Sequence, residues 1–150
     1  METLHFNIRI QASVAIVYKT MISDAGFRHW TVPFHPASHF QGKWEEGSKM
    51  LFLAEDEEQG QGGMVSRIRE LRPHEFISIE HLGIIQDGKE ITTGPDIEQW
   101  AGAREEYTFI PEGPETTLLK VSMDANEQWK SYFETTWPKA LEILKDSCEK

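Results

Sequence analysis

The sequence predicts an α+β protein in which a run of antiparallel strands is followed by one long helix. At the N-terminus Leu4, Phe6, Ile8 and Ile10 alternate with polar residues, which indicates a strand with one buried face. Further strand-like segments fill residues 43–124, and the end of the chain instead carries apolar residues at spacings of three, four and seven. This order is typical of an antiparallel sheet whose apolar face is covered by a terminal helix.

Two short helices are predicted directly after the first strand. Ser13 is of a residue type that caps helices, and the second helical segment follows Asp24 and ends near Trp30. The apolar residues of the first helix recur at helical spacings, at Val14, Val17, Tyr18 and Met21. The chain therefore forms two helices before the main run of strands begins.

Five more strands are predicted, separated by turn residues. They cover residues 48–55, 64–71, 75–85, 104–112 and 116–124. The acidic segment 55–63 is predicted to be a hairpin tip whose charge favours solubility. Residues 86–104 contain two turn signals, Asp87-Gly88 and Gly94-Pro95, and are predicted to be a hairpin or a long excursion before the next strand. The segment is either a lid over a site or an ordinary surface loop.

One of these strands has an irregular pattern. Arg67 and Arg69 share a face with Val65 and Leu71, while Ile68 falls on the other face. Because an extra residue reverses the side-chain alternation, the pattern indicates a β-bulge here. Arg67 is therefore not assigned to either face.

The terminal helix is predicted from Asn126 to Cys148. Pro138 lies inside it and has no N–H to donate to the carbonyl of Glu134. We expect a kink at this point, or a helix that starts again at Trp137.

Composition limits the classes of function. A chain of 150 residues is the size of one domain, and no linker or repeat divides it, so a single domain 1–150 is expected. The net charge of −10 argues against nucleic acid and against anionic membrane surfaces as partners. The lone Cys148, the absence of an export signal and the absence of a long apolar run favour a cytoplasmic location.

Several segments in the same order resemble one superfamily. They are residues 8–23, Trp30 at the end of the second helix, and residues 42–52, 62–80, 105–123 and 135–149. The chain resembles the helix-grip superfamily of START domains, polyketide cyclases and pollen-allergen-like proteins. Within it, the branch related to the C-terminal domain of the heat-shock-protein ATPase activator is the most similar. Pro138 and the excursion from Gly94 to Gly102 depart from the family's pattern.

The resemblance implies a curved antiparallel sheet of about six or seven strands wrapped around the long C-terminal helix. It also implies a hydrophobic cavity between sheet and helix, in which family members bind lipids, steroids or polyketides or act on them. It implies no fixed catalytic residues and no cofactor.

Candidate ligand-binding residues follow from strand parity and from the aromatic residues. His81 shares a strand face with Ile77 and Ile79, and Tyr107 shares one with Phe109, so each is a polar group on an apolar wall. A few polar groups in an apolar pocket orient small ligands. The aromatic candidates for the pocket wall are Trp30, Trp100, Phe133 and Trp137. For all six residues, an ordinary place in the core is the competing interpretation.

A histidine-rich stretch, residues 29–39, raises the question of a metal site. His35 and His39 are four residues apart, a spacing at which two side chains share one face of a helix. The resemblance places the stretch in a loop and a short strand, where four residues span about 13 Å, too far for one zinc ion. We therefore expect no metal, and no hydrolase motif such as G-x-S-x-G or H-E-x-x-H is present.

Three functions remain open. The first is a module that binds a small apolar or aromatic molecule. The second is a cyclase-like or hydratase-like enzyme on the same fold, with His81 as general base. The third is a protein that acts together with a chaperone; the acidic surface permits it, but a shared fold does not transfer a partner.

Overall fold

The computed structural model describes residues 1–56 and 60–150 and confirms the predicted α+β fold. Eight strands and four helices are present in these ranges. In chain order they are β1 (Glu2–Ile10), α1 (Val14–Ile22), α2 (Asp24–Trp30), β2 (His39–Gly42), β3 (Lys49–Asp56), β4 (Gly60–Arg72), β5 (Phe76–Gln86), β6 (Lys89–Ile91), α3 (Pro95–Glu98), β7 (Arg104–Gly113), β8 (Thr116–Ala125) and α4 (Glu127–Cys148).

The strands form one antiparallel sheet in the order β1-β8-β7-β5-β4-β3-β2, with β6 paired to β5. The first strand pairs with the last, and α1 and α2 carry the chain from β1 to β2 at the opposite edge. Both helices contact α4, so the three helices lie on the same face of the sheet. The main core fills the space between this face and the helices.

Local chemistry explains the corner between α1 and α2. The hydroxyl of Ser13 accepts the Ile16 N–H at 3.3 Å, which confirms the predicted cap, and Ser23 caps α2 in the same way through Gly26. A Cβ on Gly26 would lie 1.8 Å from the carbonyl oxygen of Thr20, so only glycine fits there. The corner fixes the direction in which Trp30, at the end of α2, enters the core.

The terminal helix α4 runs without a break across Pro138, so a restart at Trp137 was a wrong expectation. Its C-terminal half is packed, with Leu141, Leu144 and Cys148 buried. Its N-terminal half is not, because Trp129 is 49% exposed although it continues the apolar stripe. The helix therefore covers the sheet closely along only part of its length.

Two irregularities interrupt the pairing of β4 with β5. Val65 lies opposite Gly83 and Ser66 opposite His81, which leaves Leu82 as an extra residue; a second shift follows Ile68. The bulge predicted around Arg67 is confirmed, and Arg67 itself is exposed and paired with Glu80. The extra residue in β5 resets the alternation of side chains beyond His81.

The segment 86–104 begins as a hairpin and returns to the sheet. The Asp87-Gly88 turn joins β5 to β6, and after α3 the chain bonds to β5 again, because the His81 N–H donates to the Ala103 carbonyl at 2.8 Å. The segment is thus attached to β5 at both of its ends. Separately, no helix within the described ranges is long and apolar enough to cross a membrane.

Candidate functional site

A cavity of ≈ 530 Å³ lies between the sheet and the N-terminal half of α4, and it is partly open to solvent. Pockets that bind drug-sized ligands measure roughly 300–1,000 Å³, so the volume suits a small organic molecule. Most of the lining is apolar or aromatic. On the helix side the cavity is lined by Trp137, Phe133 and Trp129 of α4.

Aromatic rings form the inner wall of this cavity. Trp137 packs against Trp30 with ring centroids 5.9 Å apart and against Phe34 at 5.1 Å. Phe27 and Phe52 extend the same wall toward β3. Four of the five tryptophans of the chain line the cavity: Trp30, Trp100, Trp129 and Trp137.

One polar cluster lies against this apolar wall, and it consists of Ser66, His81, Glu105 and Tyr107. The Ser66 hydroxyl is 2.7 Å from Nδ1 of His81, and Nε2 of His81 is 3.2 Å from Oε1 of Glu105. The Tyr107 hydroxyl donates to Oε2 of Glu105. His81 and Glu105 face the cavity, whereas Ser66 and Tyr107 lie behind them.

The hydrogen-bond donors of this cluster donate to other members of the cluster. Because the Glu105 carboxylate can only accept, Nε2 of a neutral His81 carries the proton, and Nδ1 then accepts from Ser66. Each oxygen of Glu105 thus accepts one bond, and a carboxylate has room for about four. The cluster therefore offers hydrogen-bond acceptors to a ligand in the cavity.

Tyr107 is held as a neutral phenol. Burial is the main reason that its pKa lies well above the usual value, and the charge of Glu105 and the hydrogen bond to it raise the pKa further. The phenol therefore remains a donor to Glu105 across the neutral range.

The hydrogen-bonded series Ser66, His81 and Glu105 contains the residue types of a hydrolase triad, but its serine is not accessible to a substrate. Ser66 is fully buried, so no substrate can reach its hydroxyl. A nucleophile must meet the reacting carbon of its substrate. The arrangement thus does not support nucleophilic catalysis by Ser66.

Five of the six candidate residues border the cavity: His81, Trp30, Trp100, Phe133 and Trp137. Tyr107 does not; it is 3% exposed and packs against Trp137 with ring centroids 6.1 Å apart. Glu105 was not among the predicted residues, although it shares the strand face of Tyr107 and the same parity argument applies to it. Phe27, Phe34 and Trp129 also line the cavity without having been predicted.

One polar atom of the inner wall has no partner. The indole N–H of Trp137 is buried and makes no hydrogen bond among the residues that the structure describes. An unsatisfied buried donor costs about 1–3 kcal/mol. The indole N–H of Trp137 is therefore an unused hydrogen-bond donor in the wall of the cavity.

The histidine-rich stretch forms a turn followed by β2, as the resemblance implied. Nδ1 of His35 accepts the Ala37 N–H at 2.9 Å, and Nδ1 of His39 is 2.9 Å from the Ala37 carbonyl oxygen. Both rings are thus engaged with the backbone of one residue. Within residues 1–56 and 60–150, no group of three or more His, Cys, Asp or Glu side chains is placed to hold a metal ion.

Comparison with solved structures finds the same fold in several proteins. The Aha1 dimer from Colwellia psychrerythraea matches with a TM-score of 0.73 and 20% identity, over 99% of this chain and 97% of that one. A protein from Mesorhizobium loti matches at 0.71 and 11%, over 97% and 95%. The di-domain ARO/CYC protein StfQ of the steffimycin biosynthetic pathway matches at 0.64 and 14%, over 97% of this chain and 45% of that one.

Comparison with curated protein sequences gives no match. The family model described as "Activator of Hsp90 ATPase homolog 1-like protein" matches residues 11–149, which is nearly the whole chain. The match agrees with the order of segments in the sequence and with the sheet, helices and cavity of the structure. The chain belongs to the family of Activator of Hsp90 ATPase homolog 1-like proteins.

Proposed function

We propose that this protein binds a small apolar or aromatic molecule in the cavity between the sheet and α4. The observation that carries the proposal is an apolar cavity of ≈ 530 Å³ whose wall holds one polar cluster. A ligand that covers the apolar surface of the cavity removes it from water, which favours binding by roughly 25 cal/mol for each Å² covered. His81 and Glu105 would then orient the ligand.

Binding can be tested with N-phenyl-1-naphthylamine, an uncharged aromatic probe that becomes fluorescent in apolar surroundings. We expect saturable binding to the wild-type chain and weaker binding to Trp100→Ala, which removes a ring from the cavity wall. Trp44→Ala is the matched control, because Trp44 packs against Phe40 and Phe52 and does not line the cavity. Absence of saturable binding to the folded wild-type chain would contradict the proposal.

An enzymatic role is the second candidate, and one observation favours it. The imidazole of His81 and the carboxylate of Glu105 lie 3.2 Å apart and both face the cavity, so Glu105, held in place by His81, could take a proton from a bound substrate. The matched StfQ belongs to a biosynthetic pathway, although the likeness to it extends to the fold alone. Unchanged turnover of an identified substrate by His81→Gln would exclude a role of His81 in this pair.

A chaperone-associated role is the third candidate, and the family's description is the observation behind it. The measurement is the ATPase rate of the host Hsp90 with and without the purified chain. A rate that does not change over a wide range of chain concentration would count against this role.

A further inference from the structure

The charged side chains that line the cavity favour one kind of ligand. Two carboxylates line it, Glu105 and Asp124, and the lining includes no Lys or Arg side chain from the described ranges. Met1 also borders the cavity, but it is 62% exposed, so water screens its amino group. The fixed charge at the cavity is therefore negative.

The hydrogen-bonding state of Glu105 leads to the same conclusion. Its two hydrogen-bond partners are the Tyr107 hydroxyl and Nε2 of His81. A carboxylate with 20% of its side chain exposed is thus stabilised by hydrogen bonds without a lysine or arginine partner. A bound cation would supply the missing charge, and hydrogen bonds to ionised groups are the stronger ones.

The aromatic wall adds a second attraction. A cation over the face of a Trp, Tyr or Phe ring is drawn to the negative face of the π-system, and the effect grows when water is excluded. Trp100, Trp129, Tyr132 and Trp137 border the same cavity as the two carboxylates. An ammonium group bound in this cavity would share it with these rings.

We infer that the cavity selects an aromatic amine in its protonated form and rejects an aromatic carboxylate of the same shape. The inference rests on the proposed function and specifies its ligand class. A carboxylate ligand would lose its hydration and meet Glu105 and Asp124 without a lysine or arginine side chain to offset them. The net charge of −10 adds a field that attracts cations and repels anions.

Three ligands of matched shape test the charge preference by calorimetry at pH 7.5: 2-naphthylmethylamine, 2-naphthylmethanol and 2-naphthoate. We also include 2-methylnaphthalene, which has no polar group. The amine is expected to bind tightest and the naphthoate weakest, with dissociation constants roughly tenfold or more apart, since a hydrogen bond to a charged group contributes about that factor. Equal binding of amine and naphthoate, or tighter binding of naphthoate, would overturn the inference.

Glu105→Gln should weaken binding of the amine roughly tenfold while changing binding of 2-methylnaphthalene by less than about twofold, because it removes the charge and keeps an acceptor. Glu106→Gln is the matched control. It makes the same change of net charge at the next residue, where the carboxylate accepts from Ser78 at 2.7 Å and does not line the cavity. If both variants weaken amine binding equally, the general field acts and the site assignment is wrong.

Folding of the variants is checked by circular dichroism, and Asp124→Asn serves as the second variant if Glu105→Gln does not fold. The failures are distinguishable. Binding of 2-methylnaphthalene without discrimination between amine and naphthoate contradicts the charge preference and leaves the proposed function standing. If none of the four compounds binds to the wild-type chain, the charge preference fails, and the proposed function fails with it only if N-phenyl-1-naphthylamine does not bind either.

Discussion

Tyr107 connects the polar cluster to the stability of the molecule. Its phenol keeps the proton in the folded state because burial and Glu105 raise its pKa, whereas in the unfolded chain the pKa is about 10. Above pH 10 the unfolded chain therefore binds fewer protons than the folded one. The free energy of unfolding is unaffected below that pH and then falls by up to about 1.4 kcal/mol for each further pH unit.

Tyr107→Phe separates the hydrogen bond from this titration. At pH 8 we expect a loss of about 1–2 kcal/mol, because Glu105 loses one of its donors. Above pH 10 the stability of the variant should fall less steeply than that of the wild type. Urea unfolding at a series of pH values between 8 and 11 measures both effects.

Tyr132→Phe is the control, since Tyr132 is 39% exposed on α4. At pH 8 it should change the free energy of unfolding by less than about 0.5 kcal/mol. An equal slope in Tyr107→Phe and the wild type would show that Tyr107 does not retain its proton as described.

At the scale of single residues, parity in a strand was enough to place His81 on the cavity and would have been enough for Glu105. It could not separate a residue that faces the cavity from one buried behind it, as Tyr107 is. That difference depends on how far α4 stands from each point of the sheet. No property of β7 alone determines that distance.

At the scale of elements, the long strands and the two short helices after β1 were predictable because each has a regular pattern with turn residues at its ends. The short elements β6 and α3 were not, because three or four residues carry no period. Their places are determined by contacts with β5 instead.

Gly83 in β5 lets the backbone at Ile91 and Thr92, at the end of β6, pass close to β5. A Cβ at Gly83 would lie 2.2 Å from the carbonyl oxygen of Ile91, so Gly83→Ala must displace that backbone. We expect a loss of stability of about 2–3 kcal/mol, because overpacking forces the backbone to shift. Thermal or urea unfolding measures the change.

Gly62→Ala on the neighbouring strand is the matched control. Its Cβ would meet the nearest atom at 3.7 Å, which is an ordinary contact. A change of less than about 0.5 kcal/mol is expected there. Equal losses of stability in Gly62→Ala and Gly83→Ala would mean that the Ile91 backbone does not lie as close to Gly83 as described.

Pro138 lies on the exposed side of α4, in the middle of a continuous helix. Pro138→Ala restores an N–H that can donate to the Glu134 carbonyl and removes the ring clash. The unfolded chain gains some freedom in exchange, by about 0.4–1 kcal/mol. A net stabilisation of about 1–2 kcal/mol is expected from the helix propensities.

Lys139→Ala, at the next exposed position, should change the stability by less than about 0.5 kcal/mol. A destabilised Pro138→Ala would indicate that the proline sets the course of α4 along the sheet. In that case binding of N-phenyl-1-naphthylamine should fall in the same variant.

At the scale of the whole molecule, the two halves of α4 carry one apolar stripe but differ in how closely it packs against the sheet. The C-terminal half buries it against the sheet, and the N-terminal half leaves a cavity beside Phe133 and Trp129. A helical pattern shows which side chains point toward the sheet but not how far away the sheet is. The cavity was therefore expected only from the resemblance, and its position came from the structure.

Filling the cavity distinguishes it from an imperfectly packed core. Ala103 lines the cavity, so the larger side chain in Ala103→Leu has room to extend into it. Each added methylene that leaves water can stabilise the fold by up to about 0.8 kcal/mol, so the free energy of unfolding should stay unchanged or rise. Ala140→Leu is the matched change in the packed half of α4, where the residue is fully buried, and it should cost about 1–3 kcal/mol.

Binding of N-phenyl-1-naphthylamine should weaken in Ala103→Leu and persist in the folded fraction of Ala140→Leu. Equal destabilisation by both substitutions would mean that the space beside Ala103 is closed in solution, and the binding function would lose its structural basis.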